Sequence, residues 1–189
     1  MFGPKNPQLR AFEELEETFT RVENVFFVLA PKEGDIFTLE TLSVIENLTE
    51  EAWTTEYVNR VDSITNYQHT VAEGDDLLVD KLIPLADNLL VQDLGRIRNI
   101  ALNEPLILNR LVSRDGRVAG INIDLHFDGE QDQAVRKANW AWAKKEQLMR
   151  DHDWLDVYVT GSTMISASFA ETGLRDVKTQ TPLMYIFVI

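Results

Sequence analysis

Apolar residues recur at helical spacing near the start of the chain, as Leu9, Phe12, Leu15 and Phe19, with glutamates between them. Asn6 can cap that helix, and Pro7 suits its first position because the missing N–H would be unbonded there anyway. The run Val25-Phe26-Phe27-Val28-Leu29-Ala30, bounded by Asn24 and Pro31, predicts a central strand covered on both faces. Thr38 can cap the next helix, whose buried stripe is Leu39, Leu42, Ile45 and Leu48. Val58 to Thr65 predicts a strand, and weaker β patterns follow at Gln68–Ala72 and Leu77–Ile83. Strand, helix and strand in this order form a βαβ-type unit.

The second half repeats that outline. Leu89 to Leu102 is periodic as a helix, and Pro105 ends or bends it. Leu106–Ser113 and Arg117–Phe127 flank Asp115-Gly116, a strong hairpin-turn signal. Along the second of these strands Ala119, Ile121, Ile123, Leu125 and Phe127 point one way, and Gly120, Asn122, Asp124 and His126 the other. One covered and one polar face is what a two-layer sandwich demands. A helix from Gln131 to about Arg150 is predicted to bury Val135, Ala138, Ala141, Trp142, Leu148 and Met149, leaving Trp140 off the stripe. Leu155 to Thr160 closes the half as a strand, and Gly161-Ser162 opens a last helix.

The predicted fold is therefore α/β (α+β), a two-layer sandwich of ferredoxin-like βαβ units with a mixed sheet. No linker rich in Pro, Gly or Ser divides it. Residues 1–182 are expected to form one domain, with lobes at 22–84 and 105–161, a first helix at 6–21 and a last helix at 162–182. Beyond Pro182 the chain runs Leu183-Met184-Tyr185-Ile186-Phe187-Val188-Ile189 without a polar residue. A span needs about 20 mostly apolar residues. The run is either a buried terminal strand or helix end, or the start of a transmembrane helix at 183–189, with Asp176 and Lys178 as the approach from water.

Charge narrows the partners. With 31 Asp+Glu against 18 Lys+Arg the formal charge is −13, a surface that repels phosphate backbones, so no nucleic acid is expected. The absence of cysteine removes disulfide scaffolds, thiolate zinc sites and Cys nucleophiles together. Met1-Phe2-Gly3-Pro4-Lys5 has neither the basic nor the apolar region of a signal peptide, so export would rely on something outside this sequence.

The search for chemistry returns little. There is no G-x-S-x-G, P-loop, G-x-G-x-x-G or H-E-x-x-H. No nucleophile–base pair stands out, so an enzyme is the least supported class. Asp124-x-His126-x-Asp128 could offer three ligands on one side of a strand, but the alternation already demands an exposed polar face there. Asp151-His152-Asp153 sits at a helix end, where a histidine suits the dipole. Neither calls for a metal, and no cofactor is expected. Glu13, Glu14, Glu16 and Glu17 read as a solvated face. Trp140 is either half-covered by its neighbours or in contact with a second subunit or a membrane interface.

Several segments in succession resemble the resistance-nodulation-division (RND) exporters, in their MMPL-like hydrophobe/amphiphile efflux branch. They are Asn6-Pro7-Gln8-Leu9-Arg10 through Val25–Leu29; Val61-Asp62-Ser63-Ile64-Thr65-Asn66, similar to a V-x-S-L-x-N stretch; Leu111-Val112-Ser113-Arg114-Asp115-Gly116 with the strand to Phe127; and Thr160-Gly161-Ser162 leading past Asp176 to Pro182-Leu183. The resemblance implies a porter-type periplasmic domain between the first two transmembrane helices of a bacterial inner-membrane protein. It implies export of lipids or amphiphiles driven by inward proton flow through membrane residues absent here. Its partners would be the transmembrane helices and second periplasmic loop of the same exporter, which would be a homo-oligomer when intact. The substrate route is expected along Asn122, Asp124 and His126 and near Trp140. The competing readings are a self-contained ferredoxin-like ligand-binding or regulatory module, and a subunit-docking module.

Overall fold

The computed structural model describes residues 6–11, 14, 23–73, 76–83, 89–127 and 132–173. Its elements are β1 (Glu23–Pro31), α1 (Leu39–Thr54), β2 (Val58–Asp62), β3 (Gln68–Glu73), β4 (Asp76–Lys81), α2 (Val91–Asn103), β5 (Ala119–Leu125), α3 (Gln133–Asp151) and β6 (Leu155–Thr160). Residues 162–173 form a last helix, α4, and residues 7–11 are also helical. Asn6 caps the latter as its sequence predicts, its Oδ1 accepting from the Gln8 amide at 2.8 Å.

Four strands make one sheet in the order β2-β5-β1-β6. Every neighbouring pair in it is antiparallel. The two-layer sandwich of βαβ units is thus present, but the expected mixed sheet is antiparallel throughout. The reason is topological: each βαβ unit is split by a strand of the other. β5 lies between β2 and β1, and β1 lies between β5 and β6. Without the stretch from Ser63 to Val118, the path β1-α1-β2-β5-α3-β6 is the ferredoxin-like split βαβ arrangement.

One face of this sheet carries the core. Val25, Phe27 and Leu29 of β1, Ile121 and Ile123 of β5, and Leu155 and Val157 of β6 are buried to 1 % exposure or less. Against them lies α1, which buries Leu42, Ile45, Leu48 and Ala52 at the i, i+3, i+4 spacing of one helical stripe. Thr38 caps α1 by accepting from the Thr41 amide at 3.1 Å. The second covering helix, α3, buries Ala138, Ala141 and Leu148. Glu51 of α1 and Lys144 of α3 form an ion pair that bridges the two helices.

The stretch after β2 is secured by polar groups. Thr49, Ser63 and Thr65 are all buried. Ser63 Oγ lies 2.9 Å from both the Thr49 and Thr65 hydroxyls. Asn66 accepts from the Ser63 amide at 2.9 Å and donates to the Val61 carbonyl at 2.7 Å. Residues 63–66 therefore form a turn whose hydroxyls are satisfied against α1, which is why strand β2 stops at Asp62 rather than running to Thr65.

Besides α2, the inserted residues form two pieces. β3 and β4 are a separate two-stranded ladder. Its base is held by the Leu82 amide donating to the Tyr67 carbonyl at 2.9 Å, while Leu77, Leu78 and Val79 stand exposed. The second piece, after α2, replaces the strand expected at Leu106–Ser113. The amides of Leu108 and Leu111 close tight turns onto the Glu104 and Ile107 carbonyls, and Asn109 takes a left-handed φ of 60°. Only Val112 bridges Ala119 in antiparallel fashion, ahead of the predicted Asp115-Gly116 turn.

Candidate functional site

The face of the sheet opposite the helices carries alternate residues of each strand. Register places Asn24 and Arg60 on either side of Asp124, Phe26 and Asp62 on either side of Asn122, and Val28 beside Gly120. Asn24, Phe26, Asn122 and Asp124 are each half-buried on this face. Asn24 Nδ2 donates to Asn122 Oδ1 at 2.9 Å, and Asn122 Nδ2 donates to Asp124 Oδ1 at 2.7 Å. Arg60 Nε meets Asp62 Oδ1 at 2.7 Å on the edge strand.

The turns at 104–112 lap onto this face. The Gly120 amide donates to the Leu111 carbonyl at 2.8 Å, which lays Arg110 and Leu111 over the start of β5. The close approach depends on Gly120. A Cβ there would overlap the Phe26 ring and come within 3.3 Å of the Arg110 carbonyl oxygen. Phe26 therefore lies flat across a glycine gap in the neighbouring strand, and the space beside it stays open. A concavity of about 450 Å³ results, lined by Phe26, Arg60, Asp62, Tyr67, Leu106, Arg110, Leu111 and Asn122. A shallower one of about 270 Å³ adjoins it over Val28 and Gly120. Apolar side chains thus line the cavity together with two guanidinium groups, a carboxylate and an amide.

Of the four residues singled out from the sequence, the structure brings Asn122 and Asp124 together on this face. His126 lies just past the end of β5, exposed, with its amide donating to the Tyr57 carbonyl at 2.9 Å. Trp140 is on the other side of the sheet. Its ring stands edge-on to Phe27 at 5.9 Å and packs against the core. Trp142, expected on the buried stripe, instead borders a groove beside Val159 and α4. Val135 and Met149, also expected inside, are exposed by 38 % and 41 %. Asp128 lies outside the described residues. Among the described residues no group of three His, Asp or Glu could hold a metal ion.

The phase of α3 is displaced because a lysine takes an interior position. Lys137 is only 3 % exposed. Its amine sits 4.1 Å from the centre of the Trp140 ring, hydrogen-bonds the Thr55 hydroxyl and reaches the Glu56 carbonyl at 3.4 Å. It thereby places a positive charge beside the C-terminal end of α1 and against an indole ring, both favourable arrangements. Burial lowers its pKa from the ordinary 10.5 to about 8, against the pull of Glu56. The unfolded chain therefore holds the extra proton between these two values, and folding must release it. The unfavourable contribution of Lys137 is full below pH 8 and is relieved as pH rises toward 10.5. Urea midpoints measured at pH 7.5 and 9.5 should rise less in Lys137→Met than in the unsubstituted chain; equal rises would refute this role.

Sequence reasoning missed Phe26, Arg60, Asp62, Tyr67, Leu106, Arg110 and Leu111 as lining residues. The alternation in Arg60-Val61-Asp62 does place Arg60 and Asp62 opposite the buried Val61, so those two were within reach. Arg110 and Leu111 were not, because non-local turns carry them over the sheet.

Among the described residues no helix is long and apolar enough to cross a membrane. No curated protein matches the chain. The sequence matches the MMPL family over residues 2–189, which is nearly its whole length. On that match, supported by the split βαβ sandwich, the chain belongs to the MMPL family and is a domain of an RND-type exporter.

Proposed function

We propose that this chain is the periplasmic porter domain of a proton-driven exporter in a bacterial inner membrane, set between its first two transmembrane helices with residues 183–189 beginning the second. The substrate is a lipid or similar amphiphile, and the helix-free face of the sheet forms part of its route. The observation that carries this reading is the concavity of about 450 Å³, which Phe26, Leu106 and Leu111 line together with Arg60, Asp62, Arg110 and Asn122. An amphiphile needs both surfaces side by side: apolar walls to take a chain from water, and a few placed polar groups to fix its head. The cavity is open rather than enclosed by the helix layer, as a passage requires. Proton coupling belongs to membrane residues outside this domain. Docking against the second periplasmic loop and further subunits would complete the walls.

Photolabelling tests the placement. A phospholipid carrying a diazirine in its acyl chain, irradiated with the chain and mapped by mass spectrometry, should label Phe26 and residues 105–112 saturably. Replacing Arg60 and Arg110 together by glutamate should reduce that labelling several-fold with folding intact, since both guanidinium groups are on the surface. Label spread evenly over the chain, or unaffected by the double substitution, would place the route elsewhere.

A further inference from the structure

The carboxylates bonded to the lining of the open-face cavity are already engaged. Asp62 meets Arg60 Nε at 2.7 Å, and Asp124 accepts from Asn122 Nδ2 at 2.7 Å. Glu104 Oε1 accepts from the Leu106 amide at 3.2 Å. Glu104 also acts on Tyr67, where burial first and this carboxylate second raise the hydroxyl above its ordinary pKa of 10.0. The Tyr67 phenol is therefore neutral at physiological pH. Arg110 stands apart from these pairs. It lines both concavities of the open face, yet among the described residues its guanidinium has no ion pair, hydrogen bond or ring partner.

The backbone fixes where Arg110 sits. Its amide donates to the Ile107 carbonyl at 3.0 Å, and the residue before it, Asn109, holds the left-handed φ of 60°. Leu111, the residue after it, is tied at both ends: its amide donates to the Ile107 carbonyl at 2.8 Å and its carbonyl accepts from Gly120 at 2.8 Å. A charge without a counter-ion is thus anchored at the edge of an apolar concavity lined by Phe26, Leu106 and Leu111.

We propose that this cavity selects amphiphiles with an anionic head, a carboxylate or a phosphate, with Arg110 as the counter-ion and the tail against Phe26, Leu106 and Leu111. The proposal rests on the reading of the cavity as a lipid route. The planar fork of a guanidinium matches both anions with two parallel hydrogen bonds. Arg60 is committed to Asp62, which leaves Arg110 for the ligand. A cationic head would have to displace a donor from Asp62, Asp124 or Glu104 before it met a free carboxylate. The chain as a whole, at −13, repels anions at a distance, so any preference for them must arise from local contact.

Three single-chain probes with the same diazirine-bearing tail test this on the full 189-residue chain: a fatty acid, a lysophosphatidic acid and an uncharged monoacylglycerol. The measured quantity is the half-saturating concentration for labelling Phe26 and residues 105–112. At least one of the two acids should half-saturate about tenfold lower than the monoacylglycerol, the worth of a charge-assisted hydrogen bond. Which acid does so identifies the head as carboxylate or phosphate. Arg110→Gln should bring the acids to the level of the monoacylglycerol, and Arg110→Lys should keep part of the difference because the charge remains. Arg110 is exposed, and far-UV circular dichroism verifies that both variants fold. Equal half-saturation of all three probes at the cavity would overturn the anion selection and leave the route reading standing. A preference that survives Arg110→Gln would take the head away from Arg110 and overturn the proposal. Absence of saturable label at the cavity from any probe would remove the route reading as well.

Discussion

Gly161→Ala is expected to unfasten the end of the sheet. Gly161 has φ of 117°, a region closed to residues with a side chain, and a Cβ there would stand 2.5 Å from the Asn24 carbonyl oxygen. That oxygen is backbone within β1 and cannot swing aside like a side-chain tip. Strain of this kind costs on the order of 1–3 kcal/mol before any overlap is relieved. Relief requires β1 and the start of α4 to separate, which breaks the Asn24–Ser162 hydrogen bonds. The measurable result is a fall in melting temperature together with faster hydrogen exchange at the amides of Asn24 and Ser162. The amides of Leu42 to Leu48 in α1, remote from the change, should keep their protection relative to global stability. Unchanged exchange at Asn24 and Ser162 would show that these hydrogen bonds do not depend on the glycine.

Phe27→Ala should have an effect at least as large, by a different route. Phe27 is fully buried at the centre of β1, the strand flanked on both sides, and its ring supports the edge of Trp140. Truncation removes the transfer energy of the ring and leaves a cavity that a four-stranded sheet cannot close, for a loss of about 3–5 kcal/mol. Domains of this size have total stabilities of about 5–15 kcal/mol, so the variant should sit near its unfolding threshold at 37 °C. Denaturant titration reads the loss as a lower midpoint at unchanged slope. Phe26→Ala is the contrast. Phe26 lies half-buried on the open face beside the cavity, so its removal should cost much less stability while altering lipid labelling. Equal losses for the two phenylalanines would contradict the division into a core face and an open face.

These adjacent residues mark the boundary of what local pattern can show. The run from Val25 to Ala30 announces a central strand, and β1 is one, paired on both edges. A strand apolar at every position is expected to be covered on both faces. Here one face is covered by helices and the other only in part, by the turns at 104–112 and by Phe26 lying over Gly120. The strict alternation from Ala119 to Leu125 was a better guide, since a period of two assigns each residue to a face whatever its partners are. It placed Asn122 and Asp124 on the open face. It could not tell that Arg60 and Asp62 flank them, because a strand's neighbour depends on topology. Helix α3 failed in phase for a physical reason: Lys137, outside the predicted stripe, is interior because the Trp140 ring and the end of α1 accommodate its amine. Ser63–Thr65, read as the end of a strand, belongs to a turn because its hydroxyls bond α1, a contact between residues up to 16 positions apart.

What lay in the linear order of residues was most of the list of elements, the caps at Asn6 and Thr38, and the dry side of β5. These follow from backbone geometry and from the free energy of removing apolar groups from water, both of which act over a few neighbouring positions. The interleaving of two βαβ units into one antiparallel sheet, the turns folded over its bare face and the cavity they leave were decided only by packing in three dimensions. Each is a choice among distant segments with similar local preferences, and the difference lies in how well their surfaces close on one another.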